Sequence, residues 1–422
     1  MKVLVVHPAQ QHSYRLATAL KKKGYLYKYL TTVYYKKGSF TYLLSCVLKG
    51  NIKKKAKSRV CQELNSSDVI QFCEVEGLLK LLVMNVIKVQ PYYKKLKYHT
   101  TDRFARKVVH YAVRHKVDAV ICYDDYSAVL FEMLAKQAPN ILRIMDISAA
   151  NILYMRHIYE KDVELQPDFS ERLYKEREIV WCEDNIERTK KELKYGQVFL
   201  SPSRFVAKTL NYSGISGEQI HICPYGVDTK MFAQKKYFDF DKPLQRPIRF
   251  VYVGGVKELK GISYLLQAIE EIDAVHAELI IVGQCDKKAK DIKRYLDRVI
   301  FTGPVLHSEV PNILMQSDVF VFPSLGEGLS LSALEAASCG LPLIVTENSG
   351  VNDAMTDGKE GFVIPIQSTE ALVEKMEWFI QHPDLIESMG KAARKMALHY
   401  TWDAYYQHIS QIFDEIGITK NT

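Results

Sequence analysis

Short apolar runs alternate with helical patterns along most of the 422-residue chain. Buried strands are predicted in the first half at Val3–Val6, Asp118–Cys122, Leu142–Met145 and Val198–Ser201. In the second half they are predicted at Arg249–Val253, Glu278–Val282, Arg298–Thr302, Val319–Phe322, Leu343–Val345 and Gly361–Ile364. Because strands that alternate with helices form parallel sheets of βαβ units, the pattern predicts an α/β fold.

The length predicts two domains, since single hydrophobic cores stop growing beyond roughly 250–300 residues. We place the boundary near Ser201–Arg204, which gives domains of residues 1–200 and 201–400. Residues 401–422 are predicted to form a C-terminal helix with an apolar stripe that begins at Trp402 and Tyr405. A helix with such a stripe must pack against another element.

The segment Val319–Pro342 carries a strand, a glycine-containing loop and a helix in succession. The loop contains Gly326-Glu327-Gly328, and the helix starts near Ser330. A helix N-terminus attracts phosphate through its unpaired N–H groups and its dipole. Two glutamates eight residues apart are common by chance. However, Glu335 lies in an otherwise small and apolar helix, where a half-buried carboxylate needs a partner such as a ribose diol.

A second segment, Phe250–Gly261, has the same order of strand, glycines and helix. Gly254 and Gly255 would allow a ligand to approach the backbone closely. Lys260 could then place a positive charge on a diphosphate. A Gly-Gly turn beside a solvated lysine is the alternative interpretation of the same residues.

Together these motifs resemble the retaining glycosyltransferases of family 4. That family has the GT-B fold, in which two Rossmann-like domains face each other across a cleft. The resemblance covers residues 198–395 well, whereas the first half of the chain matches only in its coarse pattern. The matching elements are the E-x7-E pair Glu327 and Glu335, Lys260-Gly261, Phe320–Ser324, Glu335–Pro342, Pro224–Asp228 and Phe301–Val305.

The resemblance implies that the second domain binds a nucleotide diphosphate sugar and the first binds the acceptor. Glu335 would bind the ribose, Glu327 would contact hydroxyls of the donor sugar, and Lys260 would neutralise the leaving diphosphate. The C-terminal helix would cross back onto the first domain. The other donor-binding residues are expected to be Gly254, Gly255, Gly328, Leu329, Ser330 and Leu331.

Three positions depart from the family pattern. The arginine that usually precedes the lysine is absent, with Gly255 near its place and Lys257 as the candidate substitute. Polar residues at 8–12 replace a glycine-rich loop after the first strand, and no histidine matches after Leu142–Met145. His12, Asp124 and Asp146 are therefore the acceptor-side candidates, although each is more readily interpreted as a structural polar residue.

The charge is distributed unevenly. Residues 1–100 contain 19 Lys and Arg against 4 Asp and Glu, whereas the rest of the chain contains 38 against 45. This asymmetry predicts a polyanionic partner, either nucleic acid or anionic lipid. No nucleic-acid motif is recognisable. The segments Phe40–Leu48 and Leu78–Val89 combine apolar positions with basic and tyrosine-rich flanks, which is typical of interfacial helices. Two ordinary core helices would show the same pattern.

The N-terminal sequence lacks the long apolar run of a signal peptide. The 8 cysteines are scattered and show no C-x-x-C spacing, which favours a reducing compartment. We therefore expect a cytoplasmic protein that is peripheral at the inner face of the cell membrane, with an anionic membrane surface as partner and no nucleic acid.

The expected reaction is transfer of a sugar from a UDP- or GDP-sugar to a saccharide or lipid-linked acceptor, in cell-surface polysaccharide or glycolipid synthesis. The resemblance implies that configuration is retained. No acidic metal motif accompanies the donor segment, so we expect no metal and no cofactor. Lys260 and the helix N-terminus would stabilise the leaving phosphate instead. The alternatives are another type of GT-B enzyme (an epimerase or phosphorylase) and a nucleotide-sugar-binding regulator, which the missing arginine favours.

Overall fold

The computed structural model describes residues 1–10, 12–47, 49–84, 90–174, 182–237 and 246–419. The strands in these ranges are β1 Val3–Val6, β2 Leu26–Thr31, β3 Val69–Gln71, β4 Ala119–Tyr123, β5 Leu142–Asp146, β6 Val198–Ser201, β7 Ile220–Ile222, β8 Ile248–Val253, β9 Ala277–Val282, β10 Val299–Gly303, β11 Val319–Phe322, β12 Leu343–Thr346 and β13 Gly361–Ile364. They form two parallel sheets, ordered β3-β2-β1-β4-β5-β6-β7 and β10-β9-β8-β11-β12-β13.

Helices connect most of the strands. Their bounds in the described residues are α1 Ser13–Lys23, α2 Phe40–Val47, α3 Gly50–Lys57, α4 Glu74–Leu82, α5 Gln90–Arg114, α6 Ala128–Gln137, α7 Ile152–Leu165, α8 Glu183–Tyr195, α9 Arg204–Tyr212, α10 Ile262–Glu271, α11 Lys290–Lys293, α12 Val310–Met315, α13 Leu331–Cys339, α14 Thr369–Gln381, α15 Leu385–Ala397 and α16 Trp402–Thr419. None of the helices in this described part is long and apolar enough to cross a membrane.

Both faces of the first sheet are buried. Val3 and Val5 of β1 belong to one apolar cluster, and Leu4 and Val6 belong to another. Alternate residues of a strand point to opposite faces, so a strand covered on both sides reads as a continuous apolar run. This is why the pattern of apolar runs predicted the α/β class correctly, and the two sheets confirm the GT-B architecture.

The first domain extends further than the sequence predicted. Strand β7 pairs in parallel with β6 in the first sheet, so a boundary between residues 200 and 201 cuts that sheet. The strand was missed because it has three residues with a polar histidine, His221, at its centre, and such short runs carry little periodic signal. The division between the sheets falls between Ile222 and Ile248.

The C-terminal helix α16 crosses back onto the first domain, as expected. The Lys23 ammonium and the Asp414 carboxylate lie 2.7 Å apart, which joins α1 to α16. The Arg15 guanidinium stacks 4.6 Å from the ring centroid of Trp402. Parts of some predicted segments lie outside the described residues, namely Gln11, Leu48 and residues 85–89 and 420–422.

Each sheet reverses its strand order once near its centre. In the first sheet the reversal lies between β1 and β4, and in the second between β8 and β11. Loops at the carboxyl ends of such strands diverge to opposite faces and leave a crevice that binds ligands in this kind of sheet. Two crevices are therefore expected, one in each domain.

Candidate active site

The loop between β11 and α13 is held by the end of the neighbouring strand. The backbone N–H of Glu327 donates to the carbonyl of Asn348 at 2.9 Å, and the Thr346 hydroxyl donates to the carbonyl of Ser324 at 2.6 Å. At the other end of the loop, Ser330 caps α13 through its hydroxyl oxygen. This loop follows β11 at the crevice of the second sheet, where the sequence predicted a phosphate-binding helix N-terminus.

Lys260 and Glu327 lie together. Lys260 ends a 3-10 turn that starts at Glu258, and its ammonium group forms an ion pair with the Glu327 carboxylate. Gly261 follows with φ of +65°, and a Cβ there would clash with the carbonyl oxygen of Pro323. Only glycine lets this turn pack against the end of β11. The glycine of the Lys-Gly pair therefore brings the lysine to the glutamate loop.

Gly254 and Gly255 follow β8 on the other side of the same crevice. A Cβ at Gly255 would meet no atom closer than the side chain of Lys257, at 3.9 Å, so its surface is open. Lys257, the candidate substitute for the missing arginine, is exposed. An arginine of the first domain also reaches this loop, because Arg172 donates to the carbonyl of Val256 at 3.1 Å. Nothing in the sequence pattern connects Arg172 with the donor segment.

Glu335 has a histidine as its partner. The Nε2 atom of His307 lies 2.7 Å from Oε1 of Glu335, and the side chains are 64% and 14% exposed, respectively. The hydrogen bond to Glu335 raises the pKa of His307 above its ordinary value. The sequence prediction missed His307. The sequence did contain an indication of this role. His307 follows β10 by four residues and therefore lies at the carboxyl edge of the sheet.

On the acceptor side, the structure brings His12 and Asp146 together. Nε2 of His12 lies 3.0 Å from Oδ2 of Asp146, and both side chains are largely buried. The ring of Tyr225 packs 4.3 Å from that of His12. Burial, and then the charge of Asp146, raises the pKa of Tyr225 well above its usual value, so this phenol stays neutral.

Asp124 faces a neighbouring loop instead. Its carboxylate accepts hydrogen bonds from the backbone N–H of Ser148 at 3.1 Å and from the Ser148 hydroxyl at 2.8 Å. Burial raises the pKa of Asp124 to about 7, with a smaller contribution from Asp125. These contacts are those of a residue that supports the loop after β5.

The two sides of the candidate site meet at one interdomain contact. Gly328 packs on the backbone of Ser148, where a Cβ would clash with the Ser148 carbonyl oxygen. The Ser203 hydroxyl also donates to the carbonyl of Gly328, at 2.6 Å. Asp146 precedes Ser148 by two residues, and Glu327 precedes Gly328 by one. The space predicted for a ligand at Gly328 is therefore occupied by the first domain's backbone in this structure.

Two doubly wound domains that meet at the loop after β11 define a GT-B fold. Residues 247–382 match the model of the family described as glycosyl transferases group 1. The similarity to this family therefore covers most of the second sheet and the loops at its crevice.

Curated relatives match over part of their length. The alpha-D-kanosaminyltransferase of Streptomyces kanamyceticus is 29% identical over 181 residues, which are 41% of this chain and 47% of the relative. The sulfoquinovosyl transferase SQD2 of Arabidopsis thaliana is 27% identical over 216 residues, or 49% of this chain and 42% of the relative. The chain spans about half the length of the curated relatives it matches.

Solved structures match over almost the whole chain. Sucrose-phosphate synthase from Thermosynechococcus elongatus superposes with a TM-score of 0.67 at 17% identity, covering 99% of this chain and 100% of that one. Anabaena Alr3699/HepE in complex with UDP-glucose superposes with a TM-score of 0.64 at 15% identity, covering 98% and 100%. Identities this low show a shared fold.

Proposed function

We propose that the protein transfers a sugar from a UDP- or GDP-sugar to a saccharide or lipid-linked acceptor, with retention of configuration. The observation that carries the proposal is the pairing of Lys260 with Glu327 beside the N-terminus of α13. A cation, a carboxylate and free N–H donors at one crevice suit a diphosphate and a hydroxylated sugar. Retention is supported by the E-x7-E motif, which the chain shares with the retaining transferases it resembles.

On donor binding, Lys260 exchanges its carboxylate partner for the diphosphate. Glu327 is thereby released to accept hydrogen bonds from sugar hydroxyls. Glu335 binds the ribose diol in place of His307, which is exposed and can move away at small cost. The leaving diphosphate gains charge as the glycosidic bond breaks, and Lys260 with the α13 N–H groups stabilises that charge without a metal.

The acceptor lies against the first domain, at His12 and Asp146. This pair is two residues from the contact between Ser148 and Gly328, so an acceptor bound there would be next to the donor loop. Asp124 supports that loop from behind through its bonds to Ser148. A saccharide hydroxyl placed at His12 would have a hydrogen-bonding partner on the side that faces the donor.

The first domain also docks on an anionic membrane surface. Helices α2 and α4 are joined where Glu74 accepts from the backbone N–H of Thr41 at 2.8 Å, and both expose apolar side chains. We call this surface the docking face; its residues are Phe40, Leu43, Leu44, Val47, Val75, Leu79 and Leu82. Leu43 is 58% and Val47 is 74% exposed. The adjacent helix α3 supplies lysines at 53, 54, 55 and 57, which attract anionic lipid.

Release of nucleoside diphosphate tests the reaction directly. The full chain should release UDP or GDP from at least one sugar of a UDP- and GDP-sugar panel, in excess EDTA, when saccharides or a lipid extract are offered as acceptors. NMR of the product should show the donor's anomeric configuration. Release that requires added magnesium would contradict metal independence, and an inverted product would contradict retention. Free altered sugar formed without acceptor would indicate an epimerase.

A further inference from the structure

Lys80 is a buried lysine on the inner side of α4. It is 5% exposed, although its neighbour Leu79 belongs to the docking face. Its ammonium group lies 3.5 Å from the carbonyl oxygen of Pro8, which is a long contact. That carbonyl already accepts from the Thr32 hydroxyl at 2.8 Å. A buried ammonium ion with so little compensation is costly to the fold.

Further cations surround Lys80 rather than carboxylates. Among the described residues, neither Lys80 nor Arg59 forms an ion pair with a carboxylate. Burial lowers the pKa of Lys80 to about 8, with smaller contributions from the positive charges of Lys97 and Arg59. Lys80, Arg59 and Lys97 form a cluster of cations. Asp125 lies 3.2 Å from Lys97 and offsets one of the three charges, so the cluster keeps an excess of positive charge.

The cluster lies between the docking face and the acceptor-side pair. The Lys80 and Lys97 ammonium groups are 6.0 and 5.4 Å from the ring centroid of Tyr126. The Tyr126 ring packs 5.0 Å from His7, at the carboxyl end of β1. That loop leads on to His12. A group bound at the cluster would therefore adjoin the crevice of the first sheet on one side and the membrane-facing helix on the other.

We propose that Lys80, Arg59 and Lys97 form an anion subsite that binds a phosphate or diphosphate group of the acceptor. This rests on the proposed function, in that it assigns the acceptor a class: a sugar carried on phosphate. The group would be held at the cluster while the sugar extends past Tyr126 towards His12 and Asp146. A lipid phosphate would enter from the docking face, and a soluble sugar phosphate would enter from the crevice.

Phosphate fits the cluster better than a single carboxylate does. A lysine ammonium and an arginine guanidinium together offer many N–H donors, and charge-assisted bonds to phosphate oxygens are strong in a site shielded from water. A dianionic group also offsets more than one of the clustered charges. A merely structural lysine would instead be expected to have a carboxylate beside it.

Calorimetry with inorganic pyrophosphate tests the subsite on the full chain. The donor crevice can also bind pyrophosphate, so the measurements are made in a Lys260→Ala background. Pyrophosphate should still bind there, and adding Lys80→Met should weaken binding by about tenfold or more. Lys80→Arg keeps the charge and should restore binding. Lys136→Met removes an exposed lysine of the same domain and should have no effect.

Equal pyrophosphate affinity with and without Lys80→Met would overturn the subsite. If Lys80→Met does not fold, Arg59→Met takes its place with the same expected loss. The subsite and the proposed function can fail separately. A chain that binds no nucleotide sugar would contradict the proposed function, whereas its pyrophosphate site could still be present.

Two further arms identify the source of the phosphate. Flotation with phosphatidylcholine vesicles that contain a polyprenyl monophosphate should lose binding on Lys80→Met if the acceptor is lipid-linked. In that case, Lys80→Met and the wild type should bind equally to vesicles that contain phosphatidylglycerol at the same surface charge. If the acceptor is soluble, glucose 1-phosphate should displace pyrophosphate and the vesicle arms should be insensitive to Lys80→Met.

Discussion

Replacing Lys260 with methionine should slow turnover far more than it weakens donor binding. The ammonium group pairs with Glu327, and the two side chains are 28% and 16% exposed. This pair is partly screened, so exchanging it for a ground-state diphosphate gains little. The diphosphate gains charge only as it leaves, so the interaction strengthens towards the transition state.

A hydrogen bond to a charged group contributes about 1.5–3 kcal/mol, which corresponds to roughly a 10- to 150-fold loss of kcat. Steady-state kinetics in the donor separate kcat from KM. Lys257→Met is the matched control, because it removes an exposed lysine three residues away in the same segment. It should change kcat by less than Lys260→Met does. Unchanged kcat for Lys260→Met, or a rise in donor KM alone, would refute the leaving-group role.

Three further predictions concern the turn, the pH dependence and the membrane. Gly261→Ala should lower kcat in the same way as Lys260→Met, since a Cβ clashes with Pro323 and shifts the turn; wild-type kcat would show that the turn tolerates the change. Burial raises the pKa of Asp124 to about 7 and of Glu192 to about 8, so both carboxyl groups are protonated in the folded state below these values. The free energy of unfolding therefore falls as pH rises through these values, because the buried groups must then carry a charge. Urea denaturation should give a smaller free energy of unfolding at about pH 8.5 than at about pH 6, with a reduced difference in Asp124→Asn; an equal or larger value at high pH would contradict this. Leu43→Asp should reduce cosedimentation with phosphatidylglycerol vesicles, wild-type binding should fall as salt rises, and equal binding to neutral vesicles would reject the docking face.

The sequence predicted most of the strands because they are buried on both faces. Runs such as Val319–Phe322 and Leu343–Thr346 are apolar at every position or nearly so, and they stand out from their surroundings. Strand β2 was missed because Tyr27 and Lys28 occupy its partly buried half, Leu26–Lys28, and interrupt the apolar run. Strands β3 and β7 were missed because three residues are too few to show a period.

The proposed donor residues could be selected from the sequence because they lie within local motifs. Lys260 is fixed by Gly261 next to it, and Glu327 and Glu335 share one loop and helix. The partners of these residues come from distant parts of the chain. His307 meets Glu335, and Ser148 meets Gly328, through strand order that no local pattern records. The cluster of Lys80, Arg59 and Lys97 could not be predicted from the sequence for the same reason.

The central claim is that the second domain holds a nucleotide diphosphate sugar, with Glu335 on its ribose. Thermal unfolding of the full chain with a panel of UDP- and GDP-sugars tests this most directly, because a ligand that binds the folded state raises the Tm. At least one member should raise the Tm of the wild type, and Glu335→Ala should weaken its affinity about tenfold or more. Glu377→Ala, which removes an exposed glutamate of the same domain, should keep the full shift. A panel in which no nucleotide sugar raises the Tm, or an unchanged shift in Glu335→Ala, would contradict the account.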